Sequence, residues 1–301
     1  MAGSTLPRRA LGRSLRNFRL RAGKGQFVAA RVAEMSPQSI SRMEDGQRVK
    51  ISTAQIRDLL EFYGVANPSS ERDELLGLWE EVKQQDLVSK ALGNTKGWWR
   101  SYSDQFKPHF DHYLNLETAA NHLTTHQLVM VHGLLQTSEY RRSLTEATHP
   151  DLSAVDMERR LELAARRQER LADKEFRFDA LLSEAALRHG LGGPATMRDQ
   201  LLHLADIGHR ENVSIRVVPF AAGTHAGFAV QSFTLLEFPP FANHLIEPPV
   251  VYVEGSVGAL YLDQTDVIDR FRRAITDLRR VALSEDDTRD LLSATAKEYA
   301  T

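Results

Sequence analysis

The residues from Ser36 to Gly46 combine hydrogen-bonding side chains with helical spacing. Ser36 followed by Pro37 is typical of a helix start, because the hydroxyl accepts a backbone N–H that has no partner inside the helix and proline carries no N–H. Ile40 and Met43 recur at helical spacing and predict the buried side, and Gly46 is a typical helix end. The side chains left on the outer face are Gln38, Ser39, Ser41 and Arg42. We therefore expect a short helix whose exposed face is built from hydrogen-bonding groups.

Histidines that lie close together in the sequence could in principle hold a metal ion. They are His109, His112, His122, His126 and His132. On a helix, His122 and His126 would share a face; on a strand, which the apolar residues 128–131 favour, they would point to the same side but lie too far apart for certain chelation. The metalloprotease pattern His-Glu-x-x-His and the phosphate-binding loop Gly-x-x-x-x-Gly-Lys-Ser/Thr are both absent. We therefore expect no metal, no cofactor and no enzyme activity.

The composition is that of a folded protein with little scope for sulfur chemistry. The chain has 301 residues, of which 42% are hydrophobic and 26% are charged, and it contains no cysteine. Disulfides, thiolate zinc sites and cysteine nucleophiles are thereby excluded. No apolar run approaches the roughly 20 residues that cross a bilayer, so we expect a cytoplasmic protein without membrane contact.

Charge is distributed unevenly along the chain. Residues 1–66 carry 12 Lys and Arg against 5 Asp and Glu, a net charge of +7, whereas the remaining residues carry 26 against 35, a net charge of −9. A small basic module is typical of phosphate binding, although a membrane-surface segment or a plain solvated face would show the same asymmetry. The basic segment also contains apolar residues at helical spacing. These predict a first helix carrying Leu11, Leu15, Phe18 and Ala22, a second over residues 26–33, and a last one over about residues 53–63, which Gly64 ends.

The arrangement resembles the lambda-repressor-like, Xre-type helix-turn-helix family over about Leu11 to Val65. The segment that carries the resemblance runs from Gln26 and includes Ser36-Pro37-Gln38-Ser39-Ile40-Ser41-Arg42-Met43-Glu44-Asp45-Gly46. The resemblance implies double-stranded operator DNA as the partner, usually bound by a two-fold dimer. It assigns the DNA backbone to Gln26, base edges in the major groove to Gln38, Ser39 and Arg42, and phosphate to Arg48, with Ser41 on the same outer face. Amides suit adenine and guanidinium groups suit guanine because both offer bidentate geometry. The alternative is that Gln38 and Arg42 are only solvated surface residues.

Residues at two positions depart from the family pattern. Gly25 stands where the family usually has a threonine cap, and Glu34 replaces the glycine that is usual in the turn. These departures bear on local stability rather than on the fold.

Beyond a linker at residues 64–70, helices and strands alternate. A helix capped by Ser70 is expected to bridge two domains. Strands are predicted at residues 128–131, 176–182, 213–218, 233–236 and 250–253, and helices at 155–171, 196–207, 265–282 and 284–299, with Thr196 and Thr265 as caps. The expected fold class is α+β, with an all-α helix-turn-helix domain over residues 1–66, a linker helix over 67–97 and a larger mixed domain over 98–301.

The second half carries several short motifs. They are Gly133-Leu134-Leu135-Gln136-Thr137-Ser138-Glu139-Tyr140, Arg166-Arg167-Gln168-Glu169-Arg170-Leu171, Ser183-Glu184-Ala185-Ala186-Leu187-Arg188, Val217-Val218-Pro219-Phe220 and Val251-Tyr252-Val253-Glu254. Together they resemble an actinobacterial family of WhiJ-like, antitoxin-like transcriptional regulators. That resemblance implies action on promoters, often alongside a small, separately encoded protein partner.

We therefore expect a homodimeric, sequence-specific regulator whose larger domain receives a small protein or a ligand. The expected contact surface is the loop over residues 220–230 together with the turns Pro239-Pro240-Phe241 and Pro248-Pro249. One alternative is an antitoxin-like protein whose main role is to neutralise its partner and whose DNA binding is autoregulatory. Another is that the acidic domain is only a dimerisation scaffold.

Overall fold

The computed structural model describes residues 6–91, 102, 104–105, 108–240, 247–255 and 258–300. The chain divides into two compact units: Met1–Ala119 with Pro239–Glu247, and Ala120–Phe238 with Pro248–Thr301. The predicted start of the mixed domain at residue 98 lies outside the described residues, as does Phe241, and each unit is considered by itself below.

The described part of the first unit is helical. Its helices are α1 (Leu6–Arg21), α2 (Gln26–Val32), α3 (Pro37–Glu44), α4 (Thr53–Phe62), α5 (Ser70–Ala91) and α6 (Pro108–Ala119). The four helices predicted in the basic segment are confirmed, with α1 starting earlier than its apolar stripe. Helix α6 was not predicted.

Local capping explains where these helices begin and end. The Ser36 hydroxyl accepts the backbone N–H of Ser39 at the start of α3, as predicted. Ser52 and Gln55 form a reciprocal capping box at the start of α4, and Gly64, at φ +72°, follows its end. The prediction that Ser70 caps α5 is wrong, because Ser69 accepts the N–H of residue 72 and Ser70 is the first helical residue.

Helix α5 belongs to the core of the first unit. Its apolar residues Leu75, Leu78, Trp79 and Val82 are buried in the same cluster as Leu15, Ile40, Ile56 and Leu60 from α1, α3 and α4. The buried core of the first unit continues beyond the predicted boundary at residue 66 and reaches Val82. That residues 1–66 suffice to bind DNA stays a prediction.

The second unit contains a mixed sheet. Its strands are β1 (His122–Gln127), β2 (Arg177–Ser183), β3 (Val213–Val218), β4 (Phe233–Glu237), β5 (Val250–Glu254) and β6 (Ala259–Leu262), in the order β3-β2-β1-β4-β5-β6. Strands β1, β2 and β3 are parallel, and β4, β5 and β6 continue the sheet in antiparallel fashion. The helices are α7 (Ser138–Thr148), α8 (Ala154–Gln168), α9 (Gly193–Ile207), α10 (Gly227–Val230), α11 (Thr265–Val281) and α12 (Glu285–Glu298). The fold class is α+β, as predicted.

Helix α11 covers one part of the sheet with the apolar stripe that its spacing predicts. Its residues Ile268, Phe271, Ile275 and Leu278 pack with residues of four strands, among them Phe233 and Val251. Burial of such side chains stabilises the fold by about 1.5–3 kcal/mol each. Strands β2 to β5 and helices α8, α9, α11 and α12 were all predicted, with ends shifted by a few residues.

The prediction of a strand at residues 128–131 is wrong: β1 precedes it, at His122–Gln127. The strand is polar in sequence, yet Thr125 and His126 are fully buried because the Thr125 hydroxyl donates to the Phe233 carbonyl and His126 Nδ1 lies 2.9 Å from the Leu181 carbonyl. By contrast, Val129 is 52% exposed. Short-range hydrophobicity therefore points to the wrong segment.

The other differences concern helix starts and short elements. Helix α9 begins before Thr196, because Pro194 occupies its first turn, where a missing N–H costs nothing. Thr265 is the first residue of α11 and Gln264 stands at its cap position, so the predicted Thr265 cap is wrong. Strand β6 and helix α7 were not predicted.

Candidate nucleic-acid interface

Helices α2 and α3 form a helix-turn-helix around a tight turn. Ala33 is the C-cap of α2, Glu34 has a left-handed backbone conformation at φ +51°, and Ser36 is the N-cap of α3. The left-handed residue explains why glycine is usual at this position, since it carries no Cβ. Gly25 precedes α2 without a side-chain cap, as the sequence suggested.

A buried carboxylate joins three elements of this motif. Glu44, at the end of α3, receives Arg19 Nε at 2.5 Å and Arg19 Nη2 at 2.9 Å, and it also receives the side-chain amide of Gln26 at 2.9 Å. The hydrogen bonds to Glu44 raise the pKa of Arg19 despite its desolvation. Glu44 therefore fixes α3 against α1 and the start of α2.

A second buried carboxylate of the first unit also pairs with α1. Glu247 lies 2.6 Å from Arg13 Nη2 and 3.4 Å from Arg9 Nε. The sequence offered no signal for either Glu44 or Glu247, because the arginines that neutralise them are remote along the chain. Arg9, Arg13 and Arg19, three arginines of α1, are thus paired with buried carboxylates of the first unit.

Two glycines allow α1 to approach α3 closely. A Cβ on Gly12 would lie against the carbonyl oxygens of Met43 and Glu44. A Cβ on Gly46, which sits at φ +69°, would lie 2.6 Å from the Arg9 Cα. These close contacts limit how far apart α1 and the end of α3 can lie.

The outer face of α3 has the composition that the sequence predicted. Gln38 and Arg42 are exposed, whereas Ser39 and Ser41 are half-buried. The Ser39 hydroxyl lies 2.9 Å from that of Ser36, so it is engaged at the helix cap. Arg42 Nε donates to Gln47 Oε1 at 3.2 Å, which orients the guanidinium along the end of the helix. An amide and a guanidinium one helical turn apart are suited to adenine and guanine edges.

Basic side chains flank this face. Arg31 on α2 is exposed, and Arg48 and Lys50 are exposed in the segment between α3 and α4. Arg48 is thus accessible to solvent, and its predicted contact with phosphate stays a prediction. Gln26 is half-buried and its amide nitrogen is engaged by Glu44, so its predicted contact with the DNA backbone stays a prediction.

The histidines of the second unit serve other contacts. His122 Nε2 lies 3.0 Å from Asp179 and its Nδ1 lies 3.0 Å from Glu237. Burial lowers the pKa of His122, but the hydrogen bonds to the two carboxylates outweigh it and raise that pKa to about 9. Burial lowers the pKa of His126. Among the residues that the structure describes, no three His, Asp or Glu side chains form a group able to hold a metal ion.

Large apolar side chains are exposed at one edge of the second unit. Val129 and Met130 follow β1 and are 52% and 44% exposed; Phe220 follows β3 and is 65% exposed, and Phe228 of α10, before β4, is 71% exposed. The carboxyl ends of the parallel strands β1 and β3 and the start of β4 share this edge. In open sheets, that edge is where ligands usually bind.

The fold and this geometry define a DNA-binding helix-turn-helix domain followed by a second, α+β domain. A helix-turn-helix domain model matches residues 10–75. The chain belongs to the family described as a domain of unknown function (DUF5753), whose model matches residues 110–294. Neither a curated protein nor a solved structure matches the chain. No helix within the described ranges has both the length and the apolar character needed to span a membrane.

Proposed function

We propose that this protein is a sequence-specific transcriptional regulator that binds double-stranded operator DNA as a homodimer through α3. The observation that carries the proposal is the exposure of Gln38 and Arg42 on a helix held in place by the buried Glu44–Arg19 pair. Base readout needs such a combination of exposed bidentate groups and a rigid support.

Charge supports the same assignment. Residues 1–66 have a net charge of +7, and Arg48 and Lys50 are exposed beside α3. Phosphate contacts of this kind position a protein on DNA without reading its sequence. Two copies related by a two-fold axis would place their α3 helices in successive major grooves, about 34 Å apart.

We further propose that the second unit receives a small, separately encoded protein partner or a ligand, and that its role is not catalytic. The residues beyond 66 have a net charge of −9, which disfavours contact with phosphate. Exposed Phe220 and Phe228 support binding at the edge where β1 and β3 end, because large apolar side chains exposed on a surface are typical of interaction sites.

Selection from random-sequence duplexes tests the DNA-binding half. The full chain should enrich sites with two related half-sites about one helical turn apart, bound at least 1,000-fold more tightly than scrambled duplexes at physiological salt. Selection that enriches no sequence over several rounds would refute sequence-specific binding.

The proposal that the second unit receives a partner is tested by operator titration in the presence of the small proteins encoded beside the gene of this regulator. One of them should change the operator Kd at least fivefold for the parent and for Val155→Ser, a control at an exposed residue of α8. The effect should be lost in the Phe220→Ser/Phe228→Ser variant. If no such protein or extract of small molecules changes the parent's Kd, the second unit has no receiving role.

A further inference from the structure

The first unit contains a cavity of about 640 Å³ between α1, the segment that links α3 to α4, and α5. That volume is within the range that holds drug-sized ligands. The described residues that line it fall between residues 8 and 83 and therefore belong to the first unit.

The charge around the cavity has one sign. Its lining includes Arg8, Arg48, Lys50 and Lys83, and no Asp or Glu is among the described residues that line it. Lys83 Nζ lies 2.6 Å from Glu80, which stands outside the lining, so this cation is partly neutralised. A concave site with several cations favours an anionic group.

The remaining wall is largely apolar. Leu11, Met43 and Trp79 are buried side chains that line it. The indole N–H of Trp79 donates to the Thr53 hydroxyl at 2.8 Å, which fixes the ring and satisfies its polar atom. An occupant therefore meets both apolar surface and positive charge.

We propose that this cavity binds a small anionic molecule with an apolar body, such as an alkyl or aryl phosphate or carboxylate, and that its occupancy weakens DNA binding. The ligand-binding half is independent of the proposed function, whereas the regulatory half rests on it.

Contacts within the first unit connect the cavity to the DNA-facing groups. Met43 is a residue of α3, and Gln47, which also lines the cavity, accepts a hydrogen bond from Arg42 Nε at 3.2 Å. Arg48 and Lys50 line the cavity and are exposed beside α3. A bound anion would neutralise these cations and repel a neighbouring phosphate, so DNA affinity should fall.

Calorimetry with the full chain in the absence of DNA tests the binding half. The probes are decyl phosphate, decanol, inorganic phosphate and decyltrimethylammonium, each below its micelle concentration. Decyl phosphate should bind at least tenfold more tightly than the other three. Equal binding of decanol would show a merely apolar site, and equal binding of inorganic phosphate would show only a DNA phosphate contact; either result overturns the proposal.

Variants locate the site. Lys50→Gln/Lys83→Gln should weaken decyl phosphate at least fivefold, and Ile51→Trp should also weaken it by filling the cavity. Arg57→Gln, which removes an exposed cation of α4 outside the lining, should leave binding unchanged. Unchanged affinity in the double-lysine variant places the ligand elsewhere and refutes the site.

The regulatory half is tested by the operator Kd with and without saturating decyl phosphate. Decyl phosphate should raise the parent's operator Kd at least fivefold. In the double-lysine variant, the operator Kd with decyl phosphate divided by the Kd without it should fall towards one. An unchanged operator Kd in the parent, with calorimetric binding intact, overturns regulation. A protein that binds the probe but no DNA instead refutes the proposed function.

Discussion

Glu34 has a left-handed backbone conformation that favours glycine over a residue with a side chain. At φ +51°, a non-glycine residue costs about 1 kcal/mol, because Cβ crowds the carbonyl that follows. We expect Glu34→Gly to stabilise the first unit by roughly 0.5–1 kcal/mol, measured by denaturant unfolding of the full chain.

Gly46 provides the matched control for that substitution. It also has a positive φ, but a Cβ there would contact the backbone of Arg9, so Gly46→Ala should destabilise. If Glu34→Gly lowers stability, the turn has a different conformation from the one described.

His122 makes the stability of the second unit depend on pH. Its folded pKa is about 9 against an ordinary value of 6.5, so the stabilisation is complete below pH 6.5 and is lost as the pH rises to 9. The hydrogen bond to His122 lowers the pKa of Glu237 to about 2, and that contribution is lost as the pH falls below 4.5. Arg272 and Arg279 also pair with Glu237 and Asp179, so these carboxylates keep partners when the imidazole is neutral.

We expect a loss of roughly 1–2 kcal/mol between pH 6.5 and 9 after allowance for solvent screening. Urea unfolding at a series of pH values measures it. His122→Gln should remove this decline, whereas His189→Gln, at an exposed residue, should retain it. A parent whose stability is flat across this range would contradict the described contacts.

At the scale of elements, the position of α3 depends on its close packing against α1. Gly12→Ala would force a methyl group against the carbonyl oxygens of Met43 and Glu44. Since overpacking costs typically 1–3 kcal/mol, we expect a loss of that size together with weaker operator binding. Circular dichroism melts and gel shifts measure the two effects.

Gly77 on α5 is the control for that change. A Cβ there meets nothing within 4 Å, and alanine is the better helix former, so Gly77→Ala should stabilise slightly and leave DNA binding unchanged. Equal behaviour of the two variants would show that α1 and α3 do not meet at Gly12.

The sequence predicted elements wherever local chemistry determines them. Ser36 with Pro37 marks the start of α3, and the spacing of Ile268, Phe271 and Leu278 identifies α11. It failed at β1, because the hydrogen bond that allows Thr125 to be buried is made to Phe233, 108 residues away on β4. For the same reason the pairing of Glu44 with Arg19 was not predictable, although the exposed face of α3 was.

At the scale of the whole molecule, the buried side chains of α5 determine how much of the chain the first unit needs in order to fold. Residues 1–66 lack the four α5 side chains that complete the core. Their burial contributes about 1.5–3 kcal/mol each, comparable in sum to the 5–15 kcal/mol stability of a typical domain. We expect a fragment ending at residue 66 to be largely unfolded and one ending at residue 119, which keeps the longer of the two segments of the first unit, to show cooperative thermal unfolding. Cooperative unfolding of the shorter fragment at a similar temperature would contradict this role of α5.

In the proposed function, α3 reads base sequence while the segment after it contacts phosphate. The most direct measurement is the Kd of full-chain variants for the selected operator and for a scrambled duplex across a salt series. We expect Gln38→Ala and Arg42→Ala each to cost about 1–3 kcal/mol on the operator and little on the scrambled duplex. Arg48→Ala should weaken both duplexes alike and reduce the salt slope by about 1. If Arg42→Ala binds the operator as tightly and as selectively as the parent, α3 is not the recognition helix.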